Sequence, residues 1–166
     1  MKSLLIKLSG ELLSLPQENR SSSNVDFTKN LPIRSITQQI KTLSKKYFIG
    51  IVIGGGNFFR GNQHGKALGI TGSARHHVGM LATMMNGVLL KDLLSQEEVN
   101  SETLSAIECP KIALQITEKN IKQAKEDKKV IIFVAGTGKP FFTTDTAAIM
   151  RAHQIGSTMV FKATKV

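Results

Sequence analysis

A loop rich in glycine and hydroxyl residues, ending in a carboxylate, is the part of this 166-residue chain best suited to chemistry. It covers residues 136–145, after the apolar run 130–134 and before a stretch typical of a helix start. Such a strand–loop–helix passage often binds phosphate, because backbone N–H groups and the helix N-terminus point at the anion. Asp145 could orient lysines or a metal ion there. The alternative is an ordinary turn in which Asp145 only caps the helix.

Two other apolar runs end in residues that suit a phosphate. Lys7 lies at the end of the run 4–8, where open α/β sheets bind ligands. The run 49–53 leads into three consecutive glycines, 54–56, whose amides can approach a polyanion closely, and Arg60 follows. Each feature alone could be a solvated lysine or a flexible turn. Together, at successive predicted strand ends, they favour a phosphate site.

The common nucleotide-binding signatures are absent from these segments. Lys139 follows a glycine, but Phe133 stands where a P-loop needs its first glycine and Pro140 stands where it needs Ser or Thr. After the first predicted strand, Ser9-Gly10-Glu11 lacks the glycine trio of a dinucleotide fingerprint. The sequence therefore indicates a different phosphate-binding architecture.

Five segments in order along the chain resemble bacterial UMP kinases, a group within the amino acid kinase superfamily. They are residues 7–11 (KLSGE), 53–61 (IGGGNFFRG), 79–87 (GMLATMMNG), 135–145 (AGTGKPFFTTD) and 162–166 (KATKV). The resemblance implies a single domain over residues 1–166, with a three-layer α/β/α fold and a mostly parallel central sheet. It also implies transfer of the γ-phosphoryl group of ATP to UMP, giving UDP for pyrimidine nucleotide biosynthesis.

The resemblance also implies roles for individual residues. Lys7 would stabilise the transferring phosphoryl group and Asp145 would organise lysines and the magnesium shell. Magnesium is expected to arrive with ATP, so no protein metal site is predicted. The ATP-contacting positions are Lys7, Leu8, Ser9, Gly10, Gly56, Arg60 and Thr164. The UMP-contacting positions are Gly55, His76, Thr137, Gly138, Lys139, Pro140, Phe141, Phe142, Thr143 and Thr144.

Three departures from the family pattern qualify this carry-over. His76 stands where the family has an aspartate that holds the ribose, which predicts altered nucleoside recognition unless His76 is only a helix-start residue. Lys139 stands where the family usually has asparagine. The chain stops at Val166, where the family continues, so we expect a C-terminally truncated domain lacking part of the ATP-binding region. An exposed sheet edge and an exposed apolar face would result.

Composition is compatible with this interpretation. The formal net charge of +10 suits anionic nucleotides and equally nucleic acid, but no basic stripe is evident and only one tyrosine is present. We expect no apolar segment long enough to cross a membrane, and the N-terminus does not resemble a signal peptide. We therefore expect a cytoplasmic protein that binds neither nucleic acid nor membrane.

The predicted order is strand, helix, strand, helix, strand, helix, strand, helix, strand. The first helix begins near Asn30, with Pro32 in its first turn and an apolar stripe at Ile33, Ile36, Ile40 and Leu43. A second helix over residues 73–94 is predicted to face the core through Val78, Leu81, Met85, Val88 and Leu89. Its methionines favour core or a subunit interface, and the family implies a homo-oligomer, expected to be a hexamer.

Other functions stay open on the sequence alone. The chain could be an inactive UMP-binding remnant, an interaction fragment without nucleotide affinity, or a basic nucleic-acid binder. Within the superfamily the acceptor could also be an amino acid or carbamate. The segments 79–81 and 140–145 favour UMP.

Overall fold

The computed structural model describes residues 1–14, 32–61, 63–70 and 72–163. The strands in this part of the chain form one sheet in the order β4-β3-β5-β2-β1-β6, and all neighbouring strands are parallel. Five helices and one 3-10 turn (Gly10–Leu13) connect the strands. The strands are β1 (Lys2–Leu8), β2 (Tyr47–Ile53), β3 (Ser101–Ser105), β4 (Leu114–Gln115), β5 (Val130–Val134) and β6 (Ser157–Ala163). The helices are α1 (Pro32–Ser44), α2 (His64–Ala67), α3 (Gly72–Gln96), α4 (Glu118–Glu126) and α5 (Thr144–Gln154).

Helices cover both faces of the sheet. Successive side chains of a strand point to opposite faces, so Leu4 and Ile6 of β1 join one apolar cluster and Leu5 joins another. The first cluster includes buried residues of α1 and α3, and the second includes buried residues of α4 and α5. The predicted three-layer α/β/α fold with a parallel sheet is confirmed.

The first helix agrees with its sequence pattern. Pro32 is the first residue of α1, which suits a residue that lacks an N–H group. Ile33 and Ile40 are buried, and Ile36 and Leu43 pack against the same cluster. The proposed cap, Asn30, lies outside the described residues. The predicted element order lacks the two-residue strand β4, the short helix α2 and the 3-10 turn, which are too short to give a periodic signal.

Helix α3 turns a different face to the core than the sequence predicted. Leu81, Met85, Val88 and Leu89 are exposed, and Val78 is only partly buried, so that prediction is wrong. Apolar residues lie on every side of this helix, and small residues decide which side meets the sheet. Gly87 lies so close to Val134 that a Cβ atom would overlap its Cγ1. The buried positions are Met80, Ala82, Thr83, Met84, Asn86, Gly87, Leu90 and Leu94.

Helix α3 also corrects the expectation about membrane-length segments. Its 25 residues include an 18-residue window of mean hydropathy 1.2, so by length and composition it could cross a membrane. In the structure 44% of that window is buried, as in a helix that packs on a sheet. A core helix meets the same criteria, so this is weak support for a membrane span.

Strand β6 is an edge of the sheet and pairs with β1 alone among the described strands. Met159, Val160 and Phe161 are exposed along it. The expectation of an exposed sheet edge and apolar face is confirmed.

Candidate active site

The carboxyl ends of β1 and β6 bring two lysines onto one carboxylate. Lys7 Nζ lies 3.2 Å from Asp145 Oδ1, and Lys162 Nζ lies 2.7 Å from Asp145 Oδ2. Lys7 is on the face of β1 that α5 covers, and Asp145 is in the first turn of α5. Hydrogen bonding to Lys162, and then to Lys7, holds the pKa of Asp145 below its ordinary value. We call these residues the lysine–aspartate cluster; Asp145 contacts both lysines, and its organising role stays a prediction.

Thr143, not Asp145, caps helix α5. Its hydroxyl accepts a hydrogen bond from the backbone N–H of Thr146 at 3.2 Å. The alternative in which Asp145 serves only as the helix cap is therefore wrong. The carboxylate is left for the lysines.

A cavity of about 280 Å³ lies next to the cluster. Its walls are the loop after β2, the first turns of α3, and the loop between β5 and α5. Thr144 is part of this lining and immediately precedes Asp145, so the cavity and the cluster adjoin. We call this space the acceptor cavity. The predicted UMP contacts that line it are Gly55, His76, Thr137, Lys139, Phe142, Thr143 and Thr144, and Gly56, a predicted ATP contact, lines it too.

Three predicted UMP contacts do not line the cavity. Gly138 has φ +77° and lies so close to Ala106 that a Cβ atom would be 2.8 Å from its carbonyl oxygen. Its role is therefore to shape the loop. Phe141 is exposed and packs its ring on His76, with 4.6 Å between ring centroids. Pro140 lies between these two residues and outside the lining.

The predicted ATP contacts fall into several environments. The Leu8 side chain is fully buried, and its carbonyl accepts a hydrogen bond from Gly54, so only its backbone lies near the strand end. Ser9 caps the 3-10 turn. Gly10 is buried and leaves no room for a Cβ atom, which would lie 2.5 Å from Asn57 Oδ1. Arg60 pairs with Glu11 and does not line the cavity. Thr164 lies outside the described residues.

Two polar side chains of α3 hold the loops that form the cavity, and sequence reasoning assigned neither a role. Asn86 is fully buried; its Nδ2 donates to the Gly54 carbonyl at 2.6 Å and to Asn57 Oδ1 at 2.7 Å. Thr83 Oγ1 accepts from the Ala135 N–H at 2.7 Å. The two residues are three positions apart and therefore share a helix face. Both residues lie in the segment 79–87, which resembles the family, and this position could have indicated a role near the site.

Arg151 of α5 supports the loop after β5 from the opposite side. Its guanidinium is buried, donates to the Gly136 carbonyl at 2.9 Å and lies over the Phe133 ring. Burial lowers the pKa of Arg151. This residue also escaped the sequence analysis, because an arginine on an amphipathic helix normally indicates a solvated face.

The donor set near the cluster does not form a protein metal cage. Among the described residues, no group of three or more His, Cys, Asp or Glu side chains could hold a metal ion. The carboxylate of Asp145 is already shared by two lysines. This chemistry fits a magnesium ion held mainly by nucleotide phosphates and water.

Comparison with known proteins gives the same family throughout. A family model described as the amino acid kinase family matches residues 2–166. The uridylate kinase of Protochlamydia amoebophila is 43% identical over 165 residues, which is 99% of this chain and 63% of that protein. The uridylate kinase of Ureaplasma parvum serovar 3 is 41% identical over 157 residues, covering 95% of this chain and 63% of that protein.

A solved structure agrees with these sequence matches. The crystal structure of UMP kinase from Ureaplasma parvum superimposes with a TM-score of 0.85 at 39% identity, covering 99% of this chain and 66% of that chain. The present chain therefore spans about 63% of the length of the curated relatives that it matches. This share agrees with the expectation that it matches only part of the enzyme.

Proposed function

This chain belongs to the amino acid kinase family, and we propose that it is a UMP kinase that transfers the γ-phosphoryl group of ATP to UMP, giving UDP. The observation that carries the proposal is the lysine–aspartate cluster beside the acceptor cavity. A cavity with cationic lining suits a nucleoside monophosphate, and adjoining lysines suit the charge that moves during phosphoryl transfer. The names of the relatives, uridylate kinase and UMP kinase, support UMP as the acceptor.

Lys7 is the residue that we assign to the transferring phosphoryl group. Its side chain is only 12% exposed, so its charge acts in a partly desolvated site where electrostatic stabilisation is strong. Asp145 holds Lys7 and Lys162 in position and keeps the two ammonium groups from repelling each other. No general base is required, since the acceptor is already a phosphate anion.

The nucleotides would approach from two sides of the cluster. UMP would occupy the acceptor cavity, against Gly55, Thr137, Lys139 and the hydroxyls of Thr143 and Thr144. ATP would lie at the carboxyl end of β1, near Ser9, Gly10 and Gly56. Magnesium bound to ATP would add positive charge at the transferring group, which lowers the barrier by neutralising the developing charge.

We further propose a homo-oligomeric protein of the cytoplasm that serves pyrimidine nucleotide biosynthesis. Support for self-association comes from the exposed apolar stripe on α3: Leu81, Met85, Val88 and Leu89. A second copy that covered this stripe would remove its apolar surface from water. A hexamer is the assembly that the family resemblance implies.

The second candidate is a chain that binds UMP without turning it over. The observation that favours it is the coverage of about 63% of the relatives' length; in this candidate the donor nucleotide needs groups outside that share. In this case the acceptor cavity keeps its function and phosphoryl transfer is lost.

A coupled phosphoryl-transfer assay with UMP, ATP and magnesium tests the proposal, with Lys7→Ala as the control variant. The expected result is UDP formation by the wild type and a strongly reduced rate in the variant. If UMP raises the melting temperature of the wild type without any turnover, the binding-only candidate is correct. If there is neither turnover nor stabilisation, both are wrong.

A further inference from the structure

Arg75 is a cation in the acceptor cavity to which neither the sequence motifs nor the comparisons give a role. It lies in the first turn of α3 and lines the cavity together with His76. Its side chain is partly buried. Its stem lies beside two loop glycines: a Cβ atom at Gly65 would be 3.6 Å from Arg75 Cδ, and one at Gly61 would be 3.9 Å from it. The stem of Arg75 therefore runs beside these two loop glycines.

The other cations near the site are already paired with carboxylates. Lys7 and Lys162 share Asp145, and Arg60 pairs with Glu11. Arg75 differs, since it forms no hydrogen bond or ion pair with any residue that the structure describes. An arginine that is partly buried as a residue and has no carboxylate partner can bind an anion through its guanidinium.

The charges of the cavity define the anion. Among the described residues that line it, Arg75 and Lys139 carry fixed positive charges and no side chain is a carboxylate. Arg75 comes from α3 and Lys139 from the loop after β5, so the two charges are on different walls. Two fixed cations match a phosphate monoester, which carries a charge of about −1.5 to −2 near neutral pH.

His76 adds a polar group to the same wall. Its Nε2 atom is buried and has no hydrogen-bond partner among the described residues, and its ring packs on Phe141 from the facing loop. This pair of tilted rings connects the two walls that carry the cations. A ligand in the cavity could thus satisfy an imidazole nitrogen and the guanidinium together.

We infer that Arg75 recognises the phosphate of the acceptor nucleotide, acting with Lys139 from the facing wall. This inference rests on the proposed function, since it concerns the acceptor of that reaction. It assigns to Arg75 a contact that neither the motif reasoning nor the family resemblance provides. Arg60 could join the phosphate only after leaving Glu11.

Direct binding measurements without ATP test the inference. Calorimetric titration compares UMP with uridine, which lacks the phosphate, on wild type, Arg75→Gln and Lys122→Gln. Lys122→Gln is the control variant, because it also removes one positive charge, but from α4 and away from the cavity. We expect Arg75→Gln to weaken UMP binding about tenfold or more, in line with a charge-assisted hydrogen bond, and to leave uridine binding unchanged. Arg75→Lys should recover part of the affinity for UMP.

The inference is overturned if Arg75→Gln binds UMP like the wild type, or if it loses UMP and uridine affinity equally. Circular dichroism of each variant separates a binding loss from unfolding. If the wild type binds no UMP, the proposed function fails, and inorganic phosphate then becomes the probe. Stabilisation of the wild type by phosphate, lost in Arg75→Gln but kept in Lys122→Gln, would still support an anion contact. Stabilisation that Arg75→Gln retains, or no stabilisation at all, would contradict it.

Discussion

The lysine–aspartate cluster and the acceptor cavity both carry positive charge, but only in the cluster is this charge paired with a carboxylate of the protein. In the cluster, Lys7 and Lys162 are neutralised by the protein's own Asp145. In the cavity, Arg75 and Lys139 have no carboxylate among the described lining residues. Internal pairing fixes lysines where a reaction needs them, whereas unpaired cations leave binding energy for a ligand. Under the proposed function, this difference separates the residues that position the reacting groups from the residues that bind the substrate.

Among the predicted changes, removal of Lys7 from the lysine–aspartate cluster should have the largest effect on turnover. We expect Lys7→Ala to lower kcat by about 10²–10³-fold, the usual cost of losing one preorganised charge-stabilising group. The KM for UMP should change little, since Lys7 does not line the acceptor cavity. Steady-state kinetics with varied UMP measures both constants. A variant with unchanged kcat and a raised KM would reverse the assignment of the two regions.

The next largest effect should come from removing the hydrogen bonds by which Asn86 holds the loop after β2. Asn86→Ala leaves the Gly54 carbonyl and the Asn57 side chain without their buried partner. We expect a loss of about 1–3 kcal/mol in the free energy of unfolding, from unsatisfied polar groups and lost packing. Urea denaturation measures this loss.

A second variant, which removes a side-chain amide from the surface, controls for the loss of an amide group as such. Gln39→Ala removes an exposed side-chain amide from α1, where it donates only to Ser35. Its midpoint should stay close to that of the wild type. Equal losses in both variants would mean that the buried amide network does not support the loops.

Lys162 should matter less than Lys7 within the same cluster. Its side chain is 54% exposed, against 12% for Lys7, so water screens its charge more strongly. We expect Lys162→Gln to lower kcat about tenfold at low ionic strength, and we expect added salt to reduce this loss because it screens the charge of Lys162 in the wild type. Measuring the kcat of Lys162→Gln and of Lys7→Ala in the same assay shows which lysine contributes more to turnover. Equal losses would show that burial does not distinguish the two lysines.

The smallest effect concerns the pH dependence of stability. Both lysines lower the pKa of Asp145 below 3.8, so its ion pairs stabilise the folded state above that pH. This contribution is lost as the pH falls through the lowered pKa. We expect wild type to exceed Asp145→Asn in stability at about pH 7 and the difference to be smaller at about pH 2. Urea midpoints at both pH values test this; a difference independent of pH would contradict it.

The sequence predicted those parts of the site that depend on local order along the chain. Apolar runs followed by Lys7, by the glycines 54–56 and by the loop 136–145 all end at one edge of the sheet, because parallel strands align their carboxyl ends. The pairing of Asp145 with lysines followed from the same reasoning.

What sequence reasoning missed depends on contacts between distant segments. Asn86 bonds to a carbonyl 32 positions away and Thr83 to an amide 52 positions away, and no local pattern specifies such pairs. The inward face of α3 was misassigned for a related reason. Its apolar residues surround the helix, so close approaches between distant segments, such as that of Gly87 to Val134, select the face.

Because β6 is an edge strand, the two lysines of the cluster lie on strands that are held with different firmness. Lys7 stands on a strand held on both sides, whereas Lys162 stands on a strand that hydrogen-bonds to β1 alone among the described strands. Edge strands fray more readily than central ones, so β6 amides should exchange with deuterium faster than those of β1. Each fraying event would take Lys162 from Asp145 and leave Lys7 in place. The exchange rate of one strand thus reports how often the carboxylate holds one ammonium group instead of two.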